Sequence, residues 1–271
     1  MKRPLLYLLI SAITLAAIYP ILVVIGISLR PAGSLYSTSL ALIPAGASLE
    51  AYRVVLFEKP FGRWLANSAA VSLLVTIVGV ALASTAGYAF SRFRFRGRTV
   101  GMAMFLVTQM FPATMLLLPL YVLMRNLGLT DSLPGLAVAY SATALPFCVW
   151  TMKGYFDSIP AALEEAALVD GAGRFGTFVR IILPLSAPAL AITALFSFMA
   201  GWSEFIVARV VLSSQELYTL PLGLESLSNS FQTEWANYSA GAILVSIPVV
   251  VVFLMMNRFL VSGLTVGGIK D

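Results

Sequence analysis

The sequence predicts an all-α polytopic membrane protein with six transmembrane helices. Hydrophobic residues make up 59% of the 271 residues and charged residues only 11%, whereas soluble domains carry roughly 25% charged residues. The mean hydropathy is +0.93. Six apolar stretches are each about as long as a bilayer-crossing helix, which needs about 20 residues.

The six stretches define the expected membrane helices. In chain order they are residues 5–28, 64–90, 100–124, 133–152, 187–205 and 238–256. The first follows Lys2 and Arg3 and could be mistaken for a signal peptide. A signal peptide has an apolar region of only about 7–15 residues, and this stretch is longer and carries no charge. We therefore expect an uncleaved first helix.

The basic residues predict the orientation of the chain. If the N-terminus is cytoplasmic, eleven of the 17 lysine and arginine residues fall in the tail, the segments 91–99 and 153–186, or the C-terminus. Cytoplasmic loops of membrane proteins carry this excess, so both termini are predicted to be cytoplasmic. The sequence "SRFRFRGR" (residues 91–98) then indicates an inner-face anchor with its rings among the lipid headgroups. The net charge is +5, but the basic residues are too few and too scattered to indicate a nucleic-acid partner.

Several kinds of chemistry are absent from the sequence. It has one cysteine, Cys148, and no histidine, which supports neither a disulfide framework nor a Cys/His metal site. We therefore expect no metal, no catalytic residue and no enzymatic activity in the chain. It also lacks the G-x-x-x-x-G-K-[ST] pattern of an ATP-binding P-loop. If ATP drives this protein, a separate subunit must bind the nucleotide.

Small residues recur at four-residue spacing in two of the expected helices. They are Gly79, Ala83 and Gly87 in the second, and Thr193, Ser197 and Gly201 in the fifth. Such faces let helix backbones approach closely in lipid. Prolines interrupt several spans and predict kinks: Pro20, Pro112, Pro119, Pro146 and Pro248.

The expected inner loop 153–186 contains a short helix of unusual composition. Ser158 is predicted to cap a helix that has Pro160 in its first turn and ends at Gly171, where glycine can adopt a left-handed conformation. Leu163, Ala166, Ala167 and Asp170 are predicted to share one side. A second short helix is expected over "RFGTFVRII", before Pro184.

This short helix could lie on the membrane or dock onto a protein. Its residues 160–169 would cover about half of the hydrocarbon core, so it cannot span. An interfacial amphipathic helix would carry Lys and Arg opposite bulky anchors. The sequence "PAALEEAALV" carries acids and alanines instead, which favours docking into a protein cleft.

The loop resembles the "EAA" loop of the permease subunits of ABC importers. The pattern E-A-A-x3-G-x9-I-x-L-P is matched from Glu165 to Pro184 at every fixed position. In that family the loop is a cytoplasmic coupling helix that docks into a cleft of the ATPase subunit, where its glutamate pairs with an arginine. The resemblance gives Glu165 that role. It implies an ATPase-coupling role for Glu165, Ala166, Ala167, Asp170, Gly171, Ile181, Leu183 and Pro184.

The resemblance extends over nearly the whole chain. The stretches "YAFSRFRFRGR", "QMFPA", "VWTMKGYFDSIP" and "RFLVSGLTVGGIK" are similar to the smaller permease subunit of maltose and other oligosaccharide importers. The implied architecture is the type I ABC-importer permease fold. Its parts would be a first helix with its outer loop (1–63), a five-helix core including the coupling loop (64–256), and a cytoplasmic tail (257–271).

The resemblance also implies partners and further contacts. Expected partners are a second permease subunit, two ATPase subunits that bind ATP and Mg²⁺, and an extracytoplasmic sugar-binding protein, in a prokaryotic inner membrane. This chain itself would bind no cofactor. The outer loop 212–235, with Tyr218 and Asn229, would contact the sugar-binding protein. Gly267, Gly268 and Lys270 would lie in a tail that reaches the ATPase subunits.

The transported solute stays open, as does a second class of transporter. Maltose, maltodextrin, trehalose or another solute would each fit an importer of this kind. An ion-coupled carrier would need ionisable residues near the bilayer midplane. Gln109 is the clearest mid-span polar residue, and Glu204 lies near a helix end. Both are candidates for the translocation path, although Glu204 could equally be an acid at the outer interface.

Overall fold

The computed structural model describes residues 2–31, 43–228 and 234–266. The described residues form α-helices and turns without any β-strand, which confirms the predicted class. Short π-type turns follow α2 and α8, and short 3₁₀ turns precede α5 and α12. The helices are α1 (Lys2–Ser28), α2 (Glu50–Arg53), α3 (Phe61–Arg92), α4 (Arg98–Met110), α5 (Leu117–Asn126), α6 (Leu133–Ser158), α7 (Ala162–Val169), α8 (Arg174–Thr177), α9 (Leu183–Leu185), α10 (Ala187–Trp202), α11 (Ile206–Val211), α12 (Leu220–Glu225) and α13 (Trp235–Val266).

Four of the six predicted spans are single long helices in the described chain. These are α1, α3, α6 and α13, each apolar and long enough to cross a membrane. They extend past the predicted limits, since α3 has 32 residues and α6 has 26. These helices are therefore longer than the apolar stretches alone indicate.

The third predicted span, 100–124, is not one straight helix. α4 and the helical segment Thr114–Asn126 meet at an angle of 101°. The break lies at Pro112, which has no backbone N–H to donate and forces its predecessor out of helical geometry. Phe111 accordingly has extended dihedral angles, φ −78° and ψ 132°.

The fifth predicted span, 187–205, is shorter than expected. α10 ends at Trp202, and it meets the preceding helical segment Arg174–Leu185 at an angle of 80°. The other prolines are accommodated within helices. Pro20, Pro146 and Pro248 lie inside α1, α6 and α13, and Pro119 lies in the first turn of α5, where its missing donor costs little.

The chain divides into two compact units. The first comprises residues 1–64 and 222–249, and the second comprises residues 65–221 and 250–271. Within the first unit, the Ser28 and Tyr52 hydroxyls lie 2.8 Å apart, and Gly223 lies against the Trp64 ring. The apolar window of α1 has no buried residue, so α1 presents an apolar surface on every side.

α6 is the central helix of the second unit. Half of its apolar window is buried, and it packs against α4 and α10. A hydrophobic cluster fills the space between α3, α6, the segment 174–185 and α10. Its buried members are Ala83, Cys148, Val149, Met152, Phe156, Ile159, Phe178, Ile182 and Ala189.

The predicted small-residue faces lie where helices approach one another closely in the second unit. A Cβ atom added at Gly79 would lie 2.5 Å from Ser197 Oγ, and one at Gly201 would lie 2.8 Å from Ser72 Cα. At Gly87 the added atom would lie 2.8 Å from Met152 Cβ. These positions therefore admit no side chain, as the four-residue spacing predicted.

Candidate functional site

The connection from α6 to α7 differs from the prediction at Ser158. α6 continues to Ser158, whose hydroxyl donates to the carbonyl of Tyr155 at 2.7 Å. Ser158 is therefore the last residue of one helix and does not cap the next. α7 begins at Ala162 after Pro160, and its N-cap residue, Ala161, has no side-chain cap. The two helices are separated by the three residues 159–161.

α7 has one inward face and one broad exposed face. Ala167 is buried, and Glu164, one turn earlier, is partly buried. Glu165, Ala166 and Val169 are exposed, Val169 to 88%. The predicted stripe Leu163, Ala166, Ala167 and Asp170 is thus divided, because within it only Ala167 is buried. The exposed side of α7 around Glu165 is apolar, and it includes Leu168 as well as Val169.

The two adjacent glutamates of α7 point to opposite environments. The Tyr88 hydroxyl donates to Glu164 Oε2 at 2.6 Å, and Arg92 Nε donates to Glu164 Oε1 at 2.5 Å. The Arg92 and Glu164 side chains are only 15% and 13% exposed. Arg92 Nη2 also donates to the carbonyl of Ile159 at 2.8 Å. Glu164 therefore ties α7 to the last turn of α3, and the exposed Glu165 remains available to a partner.

A second polar contact joins α3 and α6 beside this pair. The Ser91 hydroxyl donates to Asp157 Oδ1 at 2.6 Å, and Lys153 Nζ donates to Asp157 Oδ2 at 2.5 Å. Arg92 Nη1 lies 3.3 Å from Ser91 Oγ. The ends of α3 and α6 and the start of α7 consequently share one hydrogen-bonded network.

Aromatic rings cover the inner side of this network. The Tyr88 ring contacts the rings of Phe93, Phe156 and Phe178, with centroids 5.9, 5.8 and 4.6 Å away. The Arg174 guanidinium lies 5.8 Å from the centroid of Phe93. Edge-to-face aromatic contacts and a cation over a ring each favour one arrangement. The rings therefore hold Tyr88 in place beneath α7.

Gly171 ends α7 as predicted. Its φ is +86°, which is unfavourable for residues with a side chain. Its N–H donates to the carbonyl of Leu168, and the N–H of Ala172 donates to that of Ala167, at 3.1 and 2.9 Å. This pair of bonds is the Schellman motif. A Cβ here would meet nothing within 4 Å, so the requirement for glycine is one of backbone conformation.

The second short helix after Gly171 is also present. The helical segment Arg174–Leu185 contains Ile181, Leu183 and Pro184. Ile181 and Leu183 are half-buried and Pro184 is exposed, while Ile182 is fully buried. The motif positions Ile181 and Leu183 therefore flank the residue that anchors this segment in the hydrophobic cluster.

The two candidates for the translocation path have different surroundings. Gln109 is exposed in the last turn of α4, beside the break at Pro112, and its side-chain amide lies 3.3 Å from the carbonyl of Thr143. Glu204 lies after α10, and its carboxylate accepts the backbone N–H groups of Ile206 and Val207 at 2.9–3.1 Å. Glu204 is thus held at the start of α11.

The segment between α11 and α12 is attached by hydrogen bonds within the second unit. Asn67 Nδ2 donates to the carbonyl of Tyr218 at 3.0 Å, and Ser68 Oγ accepts the N–H of Leu220 at 2.7 Å. Asp131 accepts from the Ser214 hydroxyl and from the N–H groups of Ser214 and Ser213, and these bonds hold the pKa of Asp131 below its usual value. Asn229, Gly267, Gly268 and Lys270 lie outside the described residues.

The chain matches a family of known transport proteins. Residues 76–266 match the model of the family described as "Binding-protein-dependent transport system inner membrane component". The chain belongs to this family. The matched region includes α7 and the residues that hold it. Separately, among the described residues no group of three or more acids, cysteines or histidines is arranged to hold a metal ion.

Individual relatives cover nearly all of the permease. It is 38% identical to a galactooligosaccharides transport system permease of Bacillus subtilis (strain 168), over 97% of this chain and 94% of that protein. It is 36% identical to the maltose/maltodextrin transport system permease of Escherichia coli (strain K12), over 97% and 94%. A crystal structure of a bacterial ABC transporter that imports the acidic polysaccharide alginate matches with a TM-score of 0.82 and 27% identity, over 94% of this chain and 95% of that chain.

Proposed function

We propose that the permease is one of the membrane-spanning subunits of an ATP-driven importer for a disaccharide or oligosaccharide. The observation that supports this most is its identity of 36–38% to maltose/maltodextrin and galactooligosaccharide permeases over nearly its full length. The cargo we favour is maltose, maltodextrin, trehalose or a similar glycoside. A different solute carried by the same kind of importer is the alternative.

The proposed complex contains a second permease subunit, two ATPase subunits and an extracytoplasmic sugar-binding protein. The absence of a P-loop pattern from the sequence supports a separate ATPase, with ATP and Mg²⁺ bound there. The exposed face of α7 is apolar around the carboxylate of Glu165, and such a face would suit a protein cleft with a basic rim. The segment that begins at Leu212 would contact the sugar-binding protein, and the tail with Gly267 and Lys270 would reach the ATPases.

The proposed mechanism is alternating access driven from outside this chain. With both termini in the cytoplasm, α7 lies on the cytoplasmic side, where an ATPase can engage it. Closure of the ATPase pair around ATP would move α7, and the membrane helices would switch from inward-open to outward-open. The nucleotide can shift this equilibrium only as far as it binds one state more tightly than the other. The subunit itself catalyses no reaction in this scheme.

Reconstitution into liposomes tests this function. The complete complex with ATP and its binding protein should take up radiolabelled maltotriose, galactotriose or trehalose, and the permease alone should take up none of them. Both results are expected because the ATPase that supplies the energy is on another subunit. Omission of the binding protein or replacement of ATP by ADP is the matched control. Uptake by the permease alone, driven by an ion gradient, would instead establish a secondary carrier.

A further inference from the structure

Glu164 contacts α3 at two points that lie one helical turn apart. Tyr88 and Arg92 are four residues apart on α3, so both side chains project from the same face. One carboxylate oxygen accepts from each of them. α7 is therefore attached to a full turn of α3, at its cytoplasmic end in the proposed orientation, and not to a single atom.

Arg92 adds a third attachment at the start of α7. While its Nε binds Glu164, its Nη2 binds the carbonyl of Ile159 in the three-residue connection 159–161. A guanidinium can make both bonds at once because its donors form a rigid fork. The side chain of Arg92 thus fixes both the connection and the helix that follows it.

Few other contacts could hold α7 against a load. Within α7 only Ala167 is buried, and the turn at Gly171 that follows adds no packing, since a Cβ there would meet nothing within 4 Å. A short helix held mainly by apolar contact with one alanine would turn about its ends. Charge-assisted hydrogen bonds between largely hidden groups are short and directional, so Glu164 supplies the stiffness that packing does not.

We propose that the Glu164–Arg92 ion pair, supported by Tyr88, is the joint through which movement of α7 reaches membrane helix α3. This rests on the proposed function, in which a partner ATPase moves α7. Within the second unit α3 meets α10 at Gly79–Ser197 and at Ser72–Gly201, with no room for a side chain between them. A displacement of α3 at the joint is therefore passed on to α10. Arg92, Glu164 and Tyr88 are positioning residues in this scheme.

Glu164 and Glu165 have different roles in this scheme. Glu165 faces outward and belongs to the docking surface, so changing it weakens contact with the ATPase. Glu164 faces inward, so changing it leaves docking intact and disconnects the docked helix from α3. Loss of Glu164 is expected to separate ATP hydrolysis from helix movement, which a purely structural role would not do.

The experiment uses the complete reconstituted complex with spin labels at Leu73 on α3 and Val138 on α6, in a Cys148→Ala background. In the unaltered joint, trapping with ATP and vanadate should change the distance between the labels. In Glu164→Gln and Arg92→Met the change should fall about tenfold, while the amount of co-purified ATPase and its hydrolysis rate stay within about twofold. Arg53→Met, which removes an exposed ion pair with Glu50 and Glu58, is the matched control and should behave as wild type.

The charge exchange Glu164→Arg with Arg92→Glu is the decisive variant. It should restore at least about half of the distance change, since residues in one ion pair are not additive. Wild-type movement in the single variants would overturn the joint, and so would loss of the co-purified ATPase, which would place Glu164 in the docking surface. No ATP-dependent movement in the unaltered complex would instead reject the proposed function, and the joint with it.

Discussion

Glu165→Arg is expected to reduce substrate-stimulated ATP hydrolysis by the reconstituted complex roughly 100-fold, with normal insertion and folding of the permease. The Glu165 side chain is exposed on α7, so reversing its charge leaves the internal contacts of the permease in place. In the proposed complex it faces the basic rim of the ATPase cleft, where like charges repel. The measurement is ATP turnover with saturating binding protein and sugar.

A graded series at the same position provides the control. Glu165→Asp should retain most of the stimulation, Glu165→Gln should be intermediate, and Glu165→Arg should be the most severe. A compensating Arg→Glu change in the ATPase cleft should recover part of the activity of Glu165→Arg. Stimulation at the wild-type level in Glu165→Arg would show that this carboxylate does not face the ATPase.

Gly201→Leu is expected to prevent stable folding, and Gly201→Ala should already destabilise the permease by about 1–3 kcal/mol. The reason is the 2.8 Å separation between an added Cβ and Ser72 Cα, a backbone atom that cannot rotate away. The midpoint of thermal unfolding in detergent and the yield of monodisperse protein both report the effect.

Two comparisons test whether the loss of stability comes from close helix packing or from replacing a helix glycine at any position. Gly154→Ala, in α6, should be harmless because an added Cβ meets nothing within 4 Å there. Gly79→Ala should be partly rescued by Ser197→Ala, since its nearest obstacle is the Ser197 Oγ. Ser72→Ala should fail to rescue Gly201→Ala, where the obstacle is the backbone. Equal stability of Gly201→Ala and Gly154→Ala would contradict this account of the helix contact.

Local signals in the sequence were sufficient for several parts of the fold. Gly171 was predicted to end α7 because few residues other than glycine take a left-handed conformation easily, and the structure has φ +86° there. The small faces around Gly79 and Gly201 were predicted from spacing alone. The turn at Gly171 and the glycine faces were predictable because each depends on the order of residues within one turn or one helix.

Other parts depended on atoms far apart in the sequence. Helical spacing fixes the angles between residues of α7 but not which side faces inward, so it could not decide between Glu164 and Glu165. Arg92 and Tyr88 decide it, and they lie 72 and 76 residues away from Glu164. Ser158 and Pro160 resembled a helix start, yet the packing of Phe156 and Ile159 in the hydrophobic cluster lets α6 continue to Ser158. Pro112 predicted a kink, but the sequence did not predict that the bend would reach 101°.

The attachment of α7 to Arg92 through Glu164 limits how this stretch of chain can change in length. Each residue added to or removed from the first turn of α7 would rotate the residues after it by about 100° about the helix axis, relative to the residues before it. One such step would carry Glu165 towards the place of Glu164 or swing both carboxylates away from Arg92. Substitutions can accumulate here one at a time, but an insertion or deletion alters the phase of the whole helix at once. Natural variants of this permease should therefore differ in the composition of residues 159–171 and share their number.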